Sequence, residues 1–324
     1  MSHRCHPFSG SIPEKVWNIR LAAERLNGVV VPPGGVFSFN NEVGRTTLES
    51  GFKWGYGIAS GQDGVHTIPS VAGGICQVAT TLFHPVFWAG YPLEERYWHL
   101  YWIPAYTSRG VVGLDVTVDE DSNLDFKWIN PTDDYVLIQT STDSDTIYVS
   151  LYGKKPAWKV ETLAPVMANR VPPDPKPMAE AEPTLPWGRT VAVQAARDGF
   201  DVTVTRRVIP AGDGEPRTLN LRSRYAPAQT LTLVGTAGIP AGASVEEALG
   251  RILDPQGAAQ NRPAVQATPT GPEQSGTPPQ TGATAVIAAT PGSTPGSTPG
   301  PTSQPVTPTT PPTSAPTATV RPAP

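Results

Sequence analysis

At 324 residues the chain is long enough for two domains, and 24 Lys and Arg against 28 Asp and Glu leave a formal net charge of −4. That balance excludes a basic nucleic-acid surface as the organising feature, and no apolar run approaches the roughly 18 residues of a membrane-spanning helix. Two cysteines are too few for a disulfide framework.

The N-terminal His3-Arg4-Cys5-His6 cluster carries metal-ligand residue types, but no second cluster completes four ligands, so no metal and no cofactor is expected. A Cys5–Cys76 disulfide is the alternative use of Cys5. The N-terminus lacks the charged-then-apolar pattern of a signal peptide, which alone reads as cytoplasmic. A first helix is predicted over about Pro13–Asn27. Ser11 with Glu14 forms a capping box and Pro13 sits in the first turn. Val16, Ile19, Ala23 and Leu26 make its apolar stripe, and Asn27-Gly28 stops it. Val29–Val31 and Val36–Phe39 read as short strands around the Pro32-Pro33-Gly34-Gly35 turn. Gly51 to Ser70 reads as a loop, with Trp54, Tyr56 and Gln62 placed to line a cleft and His66 as an alternative base.

Gly73-Gly74 then runs into a helical pattern in which Ile75, Val78, Ala79, Leu82, Phe83 and Phe87 fall on one face, with Gly90 where a C-cap belongs. Cys76 lies in the first turn, where free N–H groups and the helix dipole favour a thiolate. Its bland alternative is a small buried hydrophobe. Gln77 joins Trp54, Tyr56 and Gln62 as a candidate substrate-binding residue. His84-Pro85 predicts a kink or early helix end, with His84 a surface or kink residue.

Pro92–Trp102 reads as a strand containing His99, and Val111–Val118 as the next strand, containing Asp115. The alternatives are a core histidine and a solvent-facing carboxylate. Cys76, His99 and Asp115 nonetheless supply what thiol catalysis needs: a nucleophile, a proton shuttle and a carboxylate to orient it. Leu124–Trp128, Tyr135–Thr140 and Thr146–Tyr152 alternate apolar and polar residues between turns, as in an antiparallel meander. Lys154–Glu182 reads as an irregular, proline-bearing connection. Arg189–Ala195, Asp201–Val208, Arg217–Ser223 and Gln229–Val234 read as four further strands. From Gln256 onward Pro, Thr, Ser, Ala and Gly dominate and only Arg262, Glu273 and Arg321 are charged, which predicts a disordered tail or stalk.

The expected architecture is α+β, with the Cys-bearing helix packed on a mainly antiparallel sheet over 8–155. A linker at 156–184, a small all-β module at 185–237, a linker at 238–255 and the tail at 256–324 complete it.

Several of these residues resemble the VanW family. They are Arg20-Leu21-Ala22-Ala23-Glu24 with Leu26-Asn27-Gly28, Pro33-Gly34 with Phe37-Ser38-Phe39-Asn40, and Val43-Gly44. Gly73-Gly74-Ile75-Cys76-Gln77-Val78 with Thr80-Thr81-Leu82 belongs to the set, as do Glu95-Arg96, His99, Gly113-Leu114-Asp115, Thr117-Val118 and Leu124-Asp125-Phe126-Lys127. The likeness runs from about Phe8 to Gly153, and the 185–237 module is similar to the G5-like β segments that accompany this domain. His99-Leu100 replaces the family's His-Ser pair, and Pro85 interrupts the motif helix. The resemblance implies a bacterial cell-envelope protein, extracytoplasmic or cell-wall associated, of a family named from glycopeptide-resistance clusters. Its implied partner is the cell wall or a peptidoglycan-derived peptide, and it implies no reaction. The order Cys76, His99, Asp115 is also similar to that of the transglutaminase-like thiol superfamily. Two function classes follow. One is a cysteine-dependent hydrolase or acyl transferase of cell-wall or peptide amide bonds. The other is a non-catalytic cell-wall-associated binding or structural module.

Overall fold

The computed structural model describes residues 2–61 and 64–254. The expected tail at 256–324 lies outside the described residues, as does Gln62. The chain opens with strand β1 (Ser2–Pro7), helix α1 (Pro13–Leu26), β2 (Val30–Val31), β3 (Val36–Ser38) and a short α2 (Phe39–Val43). Next come the β4 (Trp54–Gly61) and β5 (Gly64–Val71) hairpin, helix α3 (Ile75–Ala89) and β6 (Leu93–Glu95). After a 3₁₀ turn at Pro104–Tyr106 come β7 (Lys127–Ile129), β8 (Val136–Thr142) and β9 (Thr146–Tyr152). The remaining elements are β10 (Trp158–Thr162), β11 (Val166–Val171), β12 (Met178–Pro186), β13 (Thr190–Gln194), β14 (Gly199–Pro210), β15 (Arg217–Tyr225), β16 (Leu231–Ala237) and α4 (Val245–Leu253).

The first sheet has the order β1-β9-β8-β2, antiparallel throughout. Alternation along β8 and β9 turns Val136, Ile138, Ile147, Val149 and Leu151 inward. Helix α3 packs on β1 and β9, and α1 packs on β8. The metal-like cluster at the N-terminus is thus an edge strand, paired residue by residue with β9. Cys5 is exposed there, and both cysteines are free thiols, so the Cys5–Cys76 disulfide is not formed.

Several local expectations are corrected. Ile12, not Ser11, is the N-cap of α1, without a side-chain cap; Pro13 starts the helix itself, so Glu14 falls one position short of a capping box. The 51–70 stretch is the β4–β5 hairpin rather than a loop. Segment 124–128 contributes β7 to a different sheet, β3-β7-β6, because Phe126 and Trp128 join an aromatic cluster with Phe37, Phe83 and Tyr91. The meander therefore reduces to the β8–β9 hairpin. Strands β10 to β12 occupy the span 154–182, which reads from sequence as an irregular connection, and α4 lies within 238–255.

Helix α3 runs through the core, buried on every side from Ile75 to Phe87 except at Cys76. That burial carries it straight through Pro85, overriding a local cost of about 3 kcal/mol. For the same reason His84 is fully buried, with Nε2 donating to the Leu114 carbonyl at 2.6 Å, and is not a surface residue. Its start is fixed by close approach: a Cβ on Gly73 would lie 2.4 Å from the Tyr56 nitrogen of β4. Gly74 adopts φ +112° against Lys15 and Ile19 of α1. At its far end Arg206 of β14, itself buried, donates to the carbonyls of Phe87 and Tyr91 at 2.8 and 2.7 Å. Phe200, Val202, Val204, Leu221 and Tyr225 belong to the same core as Phe83 and Phe87. The second half of the chain forms the β10-β14-β11 sheet with β15 on β14, and the β12-β16-β13 sheet, in which β12 and β16 run parallel.

Candidate active site

Cys76 is the second residue of α3, so its backbone N–H is one of those that the helix leaves without an internal partner. Its side chain is half-buried. The Val118 N–H donates to Sγ at 3.5 Å, and the Thr117 hydroxyl lies 3.9 Å away. The 111–118 segment is not the regular strand expected from its apolar residues. It runs beside α3 held by isolated contacts such as Tyr97–Thr117 and by Thr80, whose hydroxyl bridges the Val116 N–H and C=O. His99 likewise lies beyond β6, in an irregular stretch that runs into bends at Leu100 and Tyr101.

These irregular segments bring Cys76, His99 and Asp115 together. His99 donates through its backbone N–H and through Nδ1 to Asp115 Oδ2, at 2.8 and 2.7 Å. A carboxylate only accepts, so Nδ1 carries the proton and Nε2 is the nitrogen left for the thiol, which is close enough for each group to shift the other's protonation. The second carboxylate oxygen accepts from Arg96 Nη2 at 3.1 Å and from the Tyr225 hydroxyl at 2.5 Å. Arg96 is fixed in turn by the Asp115 and Gly113 carbonyls and by Ser223 Oγ, at 2.8, 3.0 and 2.9 Å. His99 and Asp115 are each 4% exposed.

The electrostatics follow from this nesting. Burial alone would raise Asp115, but the His99 hydrogen bond and then the Arg96 charge hold it well below the usual carboxylate range. Burial also opposes a charged His99, and the hydrogen bonds and charges of Asp115 and Cys76 overcome it, raising His99 to about 9. Burial pushes the Cys76 thiol up; the hydrogen bond and charge of His99, with Val118 and Thr117, outweigh it and bring the thiol below its ordinary value. The shifts all run toward a thiolate–imidazolium pair backed by an ionised carboxylate. Tyr106 closes one side, its ring 5.3 Å from that of His99, and is pushed upward by burial and by the negative charges of Cys76 and Asp115.

Of the expected binding residues, Trp54 and Tyr56 stand on β4 and Gln77 follows Cys76 on α3. Trp54 is 57% exposed on β4, and the Tyr56 hydroxyl donates to Glu182 at 3.3 Å. Gln77 is buried, and its side-chain amide donates to the Pro7 carbonyl at 2.8 Å, tying α3 to the end of β1. His66 has its backbone in β5, and its side chain lies outside the described residues. Sequence reasoning missed Arg96 and Tyr225. Arg96 stands three residues before His99 and could have been weighed as a carboxylate partner, whereas Tyr225 is 110 residues from Asp115 with no local signal. Among the described residues no group of three or more His, Cys, Asp or Glu is arranged to hold a metal ion. No helix among them is long and apolar enough to cross a membrane.

Comparison with known proteins shows what part of the chain is similar to. Residues 14–152 match the family model described as VanW like protein. The uncharacterized protein YoaR of Bacillus subtilis is 33% identical over 145 residues, covering 45% of each chain. The vancomycin B-type resistance protein VanW of Enterococcus faecalis is 30% identical over 142 residues, covering 44% of this chain and 50% of that protein. The chain thus spans about half the length of these relatives. Among solved structures, the HP0197 G5 domain covers 24% of this chain and 97% of its own, at 18% identity and a TM-score of 0.12. The IgA1 protease G5 domain matches at 20% identity and a TM-score of 0.14, again over 24% of this chain and 94% of its own. Cys76, His99, Asp115 and Arg96 all fall inside the matched segment, and over residues 14–152 the chain is similar to the VanW-like proteins.

Proposed function

We propose that this VanW-like protein is a cysteine-dependent amide hydrolase or acyl transferase of the cell envelope, acting on peptidoglycan or peptides derived from it. The observation that carries the reading is the buried, hydrogen-bonded Asp115–His99 pair beside Cys76, a thiol at a helix N-terminus whose protonation His99 shifts. In the first step the Cys76 thiolate adds to the amide carbonyl carbon, and the oxyanion meets the unpartnered Cys76 N–H. The C–N bond then breaks as His99 Nε2 gives its proton to the departing amine, leaving a thioester. Water or a second amine attacks that thioester, His99 takes the proton, and the thiolate leaves. Asp115 stays ionised throughout and holds the imidazole tautomer. The substrate class and the extracytoplasmic location rest on the relative named as a vancomycin resistance protein. A G5-like role for the β module at 185–237 would supply cell-wall contact.

The test is the pH dependence of iodoacetamide labelling at Cys76, in a Cys5→Ser protein so that one thiol reports. A thiolate–imidazolium pair labels well below pH 8, whereas an ordinary thiol follows a pKa of about 8.5. Labelling that appears only on unfolding would assign Cys76 to packing and the domain to a non-catalytic envelope role.

A further inference from the structure

We propose that Tyr225, with Ser223 beside it on β15, is a positioning residue of the Cys76–His99–Asp115 group, so that a strand beyond the family-matched segment completes the site. The match ends at residue 152, yet β15 reaches the carboxylate directly. Leu221, Ser223 and Tyr225 are the inward residues of that strand, with Ser223 and Tyr225 each 3% exposed. Tyr225 packs on Phe200 at 5.2 Å between ring centroids, which fixes where its hydroxyl points. That hydroxyl donates the shortest of the four hydrogen bonds that Asp115 receives. Burial and the Asp115 charge push Tyr225 upward, so it remains a donor at any physiological pH.

The strand also holds the loop that bears His99, on both sides. Before His99, Arg96 donates to Ser223 Oγ at 2.9 Å and the Trp98 indole to the Arg224 carbonyl at 2.7 Å. After it, the Ala226 N–H donates to the Leu100 carbonyl at 2.7 Å. Three residues of the loop are therefore registered against β15, and the imidazole between them inherits that register. The catalytic meaning of this rests on the thiol-enzyme reading; the positioning itself does not.

The experiment follows the ring nitrogen shifts of His99 by NMR across pH in the full chain, comparing wild type with Tyr225→Phe. His99→Gln assigns the signal among the five histidines. The charged and titratable groups facing His99 are Cys76 on α3, Asp115 and Tyr106, and Asp115 in turn faces Arg96, His84 and Tyr225. Phenylalanine keeps the packing on Phe200 and removes only the hydroxyl, so a merely structural role leaves the titration unmoved. Positioning instead predicts that the His99 ring loses proton affinity by about tenfold as Asp115 turns away from Nδ1, whereas a rise, as a more basic but undisplaced carboxylate would give, overturns it. Should that variant fail to fold, Ser223→Ala is measured instead, and a smaller loss in the same direction is expected. Unchanged His99 affinity in the folded variant overturns the proposal. Ordinary thiol behaviour at Cys76 together with a weakened His99 overturns the enzyme reading and leaves the positioning role standing.

Discussion

Replacing Asp115 by Asn removes the charge at the centre of the site while keeping its shape. The native carboxylate accepts from His99 N, His99 Nδ1, Arg96 Nη2 and the Tyr225 hydroxyl, at 2.8, 2.7, 3.1 and 2.5 Å. An amide accepts on one side only, so its NH₂ meets donors on the other and Arg96 loses its counter-charge. Breaking a buried pair by removing one partner costs about 3–5 kcal/mol. Losing two hydrogen bonds to a charged group, at about 1.5–3 kcal/mol each, gives a similar figure. The expected loss is about 4 kcal/mol, measured by urea unfolding with tryptophan fluorescence. Its pH dependence is specific. Asp115 is depressed in the folded state, so its contribution is present above the unfolded carboxylate pKa and is lost as pH falls below about 3.9. His99 is raised, so its contribution is complete below 6.5 and is lost as pH rises toward about 9. The deficit of the variant should therefore peak near pH 5–6 and narrow on both sides, by at most about 1.4 kcal/mol per pH unit. A deficit below about 1 kcal/mol, or one independent of pH, would refute the buried ionised network.

Further outcomes are expected elsewhere. Cys76→Ala should abolish iodoacetamide labelling in the Cys5→Ser protein and any amidase activity, while the thermal midpoint stays within a few degrees because the lost side chain is small. His99→Gln should slow labelling at pH 6.5 by about tenfold or more, since the thiol then keeps only Val118 and Thr117 as stabilising partners; an unchanged rate would mean that the helix start alone activates Cys76. Gly73→Ala should destabilise by at least about 3 kcal/mol in urea unfolding, because its Cβ meets β4 backbone at 2.4 Å and main chain cannot swing aside. Arg206→Met should cost about 2–4 kcal/mol by uncovering the Phe87 and Tyr91 carbonyls, with the Cys76 labelling profile preserved.

What was legible in the sequence was whatever local chemistry dictates. The glycine pair before Ile75, the 3.6-residue apolar period and Gly90 specify α3, and with it the helix-start setting of Cys76. The chain order Cys76, His99, Asp115 nominated three side chains of which the fold hydrogen-bonds His99 to Asp115, with Cys76 near enough to be shifted by His99. Their elements were misread because Tyr97, Trp98 and the apolar residues of 111–118 mimic strands, while their actual partners are single bridges and side chains of α3. His84 and Pro85 were misread because local propensity cannot know that a helix is buried all round. Tyr225 was invisible for a different reason: its partner lies far away in sequence and an inward tyrosine on an alternating strand looks like any core residue.

The continuity of the core across residue 152 has a practical side. An expression boundary drawn where the family match ends would remove Phe200, Val202 and Val204 from the core they share with α3 and leave the Phe87 and Tyr91 carbonyls bare. Such a fragment would present a sticky apolar wall and a loosened His99 loop. Silence from it in an amidase screen would therefore report on the cut rather than on the chemistry, and negative screens carry weight only when the chain runs at least through β16.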